Sequence, residues 1–83
     1  MKYRYTEDLL INSYDEGTIY TFLDSDQVVC LQKFESELLD VLLSNEYEKA
    51  VRILKEKYLN ENVEKDIKEF CEELVNMRII ERY

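Results

Sequence analysis

The sequence predicts an α+β domain: a three-stranded antiparallel β-meander followed by three α-helices. Two changes of rhythm predict it. Up to about residue 31 the chain runs in short β-branched and aromatic stretches separated by turn residues. From residue 33 its apolar residues recur at helical spacing. Size supplies the third observation. With 83 residues, 46% hydrophobic, no Pro and one Gly, the chain makes a single folded domain over residues 1–83.

The first predicted strand begins at Leu9-Leu10-Ile11 and leads to the turn Asp15-Glu16-Gly17-Thr18, where the only Gly supplies a positive φ. Residues 18–23 form the second strand. It stops at Asp24-Ser25-Asp26, whose side chains bond nearby backbone amides and so favour a turn. Residues 27–31 form the third. Phe34, Leu38, Leu39 and Leu42 then mark the inward stripe of the first helix, interrupted at Ser44-Asn45. Tyr47, Ala50, Val51, Leu54 and Tyr58 mark the second, which ends near Leu59. Asn60-Glu61-Asn62 is a polar connector, with Asn62 the N-cap of the third helix. That helix turns Val63, Ile67, Phe70, Leu74 and Met77 inward, and Ile79-Ile80 returns towards the core.

Charge narrows the function. The net charge is −8, and residues 1–42 carry nine acids against three bases, so the sheet half is the electronegative end. Nucleic-acid affinity rests largely on Lys and Arg displacing counterions, and this balance opposes it. The absence of His removes the usual general base, zinc ligand and pH switch together. A single Gly cannot build a phosphate-cradling loop. Asp24-Ser25-Asp26 lacks the Gly and distal Glu of a calcium loop, and adjacent acids such as Glu72-Glu73 point in different directions from a helix. No catalytic residue, metal site or cofactor is therefore expected. Cys30 and Cys71 are not spaced as a zinc pair or a CxxC motif, and two Cys make no secreted disulfide framework. No apolar run approaches the roughly 18–20 residues of a membrane span, and the N-terminus does not resemble a signal peptide. A cytoplasmic protein with two free thiols and no membrane partner is expected.

Binding features are more informative. The third predicted strand, with Val28, Val29, Cys30 and Leu31, is apolar and lacks the Lys, Pro or bulge that usually protects a sheet edge. Such an edge is either covered by the fold's own helices or takes an extended peptide as an added strand. On the third predicted helix, at about 100° per residue, Glu64, Lys68, Cys71 and Val75 share one flank of the apolar stripe. Asp66, Glu69 and Glu73 make the opposite flank wholly acidic. Periodicity leaves two uses open for the Cys71 flank: packing on the sheet or another helix, or forming one wall of a groove.

From about Leu9 to Ile80 these patterns resemble the PqqD-like family, the RiPP recognition elements of peptide natural-product biosynthesis. The resemblance is carried by the meander, the acidic turn Asp24-Ser25-Asp26 before an apolar strand and the Leu38-Leu39 pair. The Tyr47-to-Tyr58 helix, the run Val63-Glu64-Lys65-Asp66-Ile67 and the closing Ile79-Ile80 complete it. It implies a winged-helix-like fold that binds the leader segment of a ribosomally made precursor peptide and does no chemistry itself. In the family the leader pairs with the third strand and packs on the third helix. The corresponding residues here are Val28, Val29, Cys30 and Leu31 on the strand, and Glu64, Lys68, Cys71 and Val75 on the helix. The implied partners are the precursor peptide and a maturation enzyme such as a radical SAM enzyme, a leader peptidase or a cyclodehydratase. A chain ending directly after the third helix is expected to be a stand-alone protein or a domain excised from a larger enzyme. Two other readings share the outline. A winged-helix transcriptional regulator is opposed by the acids of the third helix, whereas an edge-strand protein-interaction module would use the same apolar strand.

Overall fold

The computed structural model describes residues 1–59 and 61–83. Strands β1 (Tyr3–Tyr5), β2 (Leu9–Tyr14), β3 (Gly17–Phe22) and β4 (Val28–Gln32) precede helices α1 (Lys33–Ser44), α2 (Tyr47–Lys57) and α3 (Val63–Asn76), and β5 (Ile80–Arg82) closes the chain. The expected α+β class, meander and three helices are all present. Of the predicted connector Asn60-Glu61-Asn62, Asn60 lies outside the described residues, and Asn62 occupies the N-cap position of α3.

β2, β3 and β4 form an antiparallel sheet in that order. Along β3 the side chains alternate, with Thr18, Tyr20 and Phe22 buried and the residues between them half-buried, as in a sheet covered on one face. α1 packs on β3 and β4, while α3 packs on α2 and β5. The core gathers Tyr20 and Phe22 from the sheet with Leu39, Leu42, Leu54, Ile67 and Leu74 from the helices. Gly17 is required by close approach as well as by its φ of 154°: a Cβ there would collide with the Leu31 carbonyl of β4.

The meander is not the whole sheet content. The chain ends form a second, two-stranded sheet, pairing Tyr3 with Arg82, Arg4 with Glu81 and Tyr5 with Ile80. Backbone bonds between Lys2 and Tyr83 extend this hairpin, and Tyr47 N–H donates to the Met1 carbonyl at 2.9 Å. Each strand has three residues, too short to show a periodicity of its own, and their partners lie almost a full chain length apart.

α3 stops with a Schellman arrangement. Ile79 N–H donates to the Leu74 carbonyl and Arg78 N–H to the Val75 carbonyl, both at 3.0 Å. Arg78 holds the left-handed conformation, φ 64°, that this turn usually gives to Gly. The turn carries Ile79 and Ile80 into the core, at 0% and 1% exposure, as the sequence predicts. Phe34 differs from its expectation. It belongs to the periodic stripe of α1 but stands 53% exposed, lining an open hollow beside Tyr58.

Candidate functional site

β4 is a sheet edge, and its hydrogen-bond phase follows from its ends. Phe22 N–H donates to the Gln27 carbonyl at 2.9 Å, and Lys33 N–H to the Glu16 carbonyl at 3.0 Å. Bonded pairs alternate along an antiparallel ladder, so Tyr20–Val29 and Thr18–Leu31 are the bonded pairs between those limits. Val28, Cys30 and Gln32 consequently turn their backbone groups away from β3. Gln32 N–H is occupied, donating to Glu35 Oε1 at 3.0 Å in the first turn of α1. The open edge therefore comprises the N–H and C=O of Val28 and Cys30. Their side chains are exposed, whereas Val29 is half-buried and Leu31 buried beneath the sheet.

Two depressions lie along α3, one of them beside this edge. One, about 560 Å³, joins Val28 and Val29 to Met77 and Arg78 at the end of α3, with Asp24 and Ser25 on its rim. The other, about 410 Å³, lies where β4 passes into α1. Phe34 and Leu38 of α1, Tyr58 beyond α2, and Val63, Ile67 and Phe70 of α3 line it, with Glu35 and Asp66. The start of β4 thus faces the end of α3, and the end of β4 leads towards its beginning. Asp66, Phe70, Glu73 and Met77, spaced i, i+4, i+7 and i+11, share the face of α3 that runs between the two depressions. From Phe70 to Met77 is about 10 Å of helix, matched by about 13 Å of strand from Val28 to Gln32.

The helix residues expected on the groove wall lie on the other flank. Cys71 is 1% exposed and packs in the core against Tyr3 of β1, the first of the two uses that periodicity leaves open for this flank. Burial pushes its thiol up to about 11, against the partial relief of a Tyr3 hydrogen bond. Val75 lines a different hollow, with Thr6, Asp8 and Glu81. Glu64 faces α2, where Lys55 Nζ sits 2.8 Å from Oε2 and holds the carboxyl below its usual range. Lys68 is exposed. The structure does not bring these four residues together with β4. Phe34, Tyr58, Asp66, Phe70 and Met77, which line the two depressions, were not among the residues expected from the sequence. Their signal was the acidic flank with two large apolar side chains at its border, and the covering of the other flank by β1 and β5 left no local trace.

Beneath the edge the sheet is tied to the rest of the fold by part-buried polar contacts. Tyr20, central in the sheet, is 1% exposed and meets Tyr5 hydroxyl to hydroxyl at 3.1 Å. Burial raises both phenols above their ordinary range, Tyr20 much the further. Ser36 of α1 donates to the Thr18 hydroxyl of β3 at 2.9 Å, fixing the helix over the sheet. Both cysteines are free thiols, Cys30 exposed and Cys71 buried. Among the described residues no helix is long and apolar enough to cross a membrane.

No family model and no curated protein matches this sequence. Solved structures do match. TbiB1 in complex with the TbiA(beta) leader peptide agrees at a TM-score of 0.81 and 21% identity, over 100% of this chain and 98% of that one. A lasso peptide synthetase B1 complexed with the leader peptide agrees at 0.85 and 16% identity, over 99% of this chain and 100% of that one. This chain has their fold. The agreement spans essentially the whole of each protein.

Proposed function

We propose that this protein binds the leader segment of a ribosomally made precursor peptide as an added strand on β4, beside α3, and delivers it to a maturation enzyme. The observation that carries the reading is the open edge at Val28 and Cys30, with two depressions along α3, one of them beside it. Backbone bonds to such an edge give register with little demand on sequence, and alternate side chains of the added strand give selectivity. Both structural neighbours are complexes with a leader peptide, and the B1 protein among them favours a lasso-peptide enzyme as the partner here. On this reading the protein is no enzyme: holding the leader raises the effective concentration of the attached core peptide at the enzyme that modifies it. On the strand, the reading uses Val28, Val29, Cys30 and Leu31. On the helix it uses the Asp66–Met77 face, in place of Glu64, Lys68, Cys71 and Val75. A DNA-binding regulator is disfavoured because α3 carries four Glu and one Asp against two Lys.

The test is amide hydrogen exchange with synthetic N-terminal segments of the short open reading frames found beside its gene. In the free protein Val28 and Cys30 N–H exchange rapidly; a saturating leader slows both, while Val29 and Leu31, already bonded to β3, change little. Saturable binding without protection at Val28 and Cys30 rejects strand addition. Failure of every neighbouring leader to bind, or micromolar binding of duplex DNA with a steep salt slope, rejects the function.

A further inference from the structure

The 410 Å³ depression at the junction of α1, α2 and α3 has a size suited to a small ligand group, in the usual range of roughly 300–1,000 Å³. Its apolar wall is preformed: Phe34 and Tyr58 meet edge to face with centroids 6.5 Å apart, and Phe70 lies opposite on α3. Two carboxylates reach the same rim from different helices, Glu35 from the first turn of α1 and Asp66 from the first turn of α3. Acids in the first turn of a helix complement its dipole, which explains their sign. The dipole does not explain why two helices bring them to one apolar hollow. Neither has a cationic partner within 4.0 Å among the described residues. The nearby Lys57 is already engaged, 3.8 Å from Glu37 and stacked over the Tyr58 ring at 5.4 Å.

Resting on the peptide-binding reading above, we infer that this hollow selects an aromatic or branched apolar side chain flanked by Lys or Arg. The apolar side chain fills the aromatic hollow, and the neighbouring cation meets Glu35 and Asp66 at its mouth. A net charge of −8 steers such a peptide in from a distance. The hollow begins where β4 ends, because the Glu35 bond to Gln32 N–H closes the free edge there. The bulky side chain is therefore placed just past the end of the added strand, and the cation is adjacent to it. Specificity thus divides between an edge that accepts any extended backbone and a pocket that reads two neighbouring side chains.

A phage library of random dodecapeptides is the probe, selected in parallel on the wild-type protein and on Glu35→Gln/Asp66→Asn. Both substitutions are isosteric, and Gln keeps the acceptor for Gln32 N–H. The wild type is expected to enrich peptides with a large apolar residue next to Lys or Arg. The double variant is expected to enrich the apolar residue alone. Changing the selected Lys to Gln in a synthetic peptide weakens wild-type binding about two- to fivefold and leaves the variant unchanged. Peptides that protect Val28 and Cys30 but show no basic enrichment, or the same enrichment on both proteins, overturn the selectivity and leave strand addition standing. If no selected peptide protects those two amides, strand addition and the selectivity fall together.

Discussion

The two flanks of α3 are built from similar residues and put to opposite uses. One carries Glu64, Lys68, Cys71 and Val75: Tyr3 of the terminal strands closes over Cys71 and Lys55 of α2 pairs with Glu64, while Lys68 stays exposed. The other carries Asp66, Phe70, Glu73 and Met77 and looks onto the space beside β4. The covered flank ends up with a fully buried Cys, and the open one keeps its large apolar residues half-buried. Side-chain character alone would not separate them: each mixes charges with apolar groups. What separates them is a hairpin made from the two ends of the chain. A helix flank becomes a wall of the core or a wall of a groove according to what the rest of the chain lays over it.

The sharpest way to break that comparison is to put a charge on the covered flank. Cys71→Asp places an unpaired carboxylate at a 1% exposed position and is expected to cost at least ~3 kcal/mol, a large part of the ~4–12 kcal/mol of a domain this size. A melting curve decides: a variant that melts within a few degrees of the wild type returns Cys71 to the surface. Binding gives the next largest effect. Phe70→Glu is expected to weaken a leader peptide by ~1–3 kcal/mol, about 5- to 150-fold, because the carboxylate must be desolvated beneath the ligand. Val75→Glu is expected to change affinity less than about twofold, since that side chain opens into the hollow beside Thr6 and Glu81. Titrations of both variants, each checked by its melt, read the contrast directly; equal losses would mean that the peptide contacts both flanks.

The smallest effect lies at the turn joining α3 to the hairpin. Arg78→Gly relieves a left-handed non-Gly residue and is expected to raise stability by ~0.5–1 kcal/mol, seen as a higher urea midpoint at unchanged slope. A lower midpoint would show that the Arg78 side chain contributes more than its backbone conformation costs.

Much of this architecture was legible in residue order. Alternation in residues 18–23, the turn residues at Asp24-Ser25-Asp26 and the stripes through Leu39, Leu54 and Leu74 are local patterns, and local patterns report period and facing. The same holds for the apolar, uncharged edge of Val28, Val29, Cys30 and Leu31, because edge protection is a matter of residue type. The bounds of each helix came within a few residues for the same reason.

The sequence by itself therefore determined the order of the meander strands and the helices, the core stripe of each helix and the unprotected strand. Tertiary structure alone decided that Tyr3 pairs with Arg82, that Cys71 lies beneath them, and that Glu35 and Asp66 meet at one rim. The physical reason is range. Periodicity records which way a side chain points from its own backbone, whereas burial and charge convergence depend on segments brought together from distant parts of the chain.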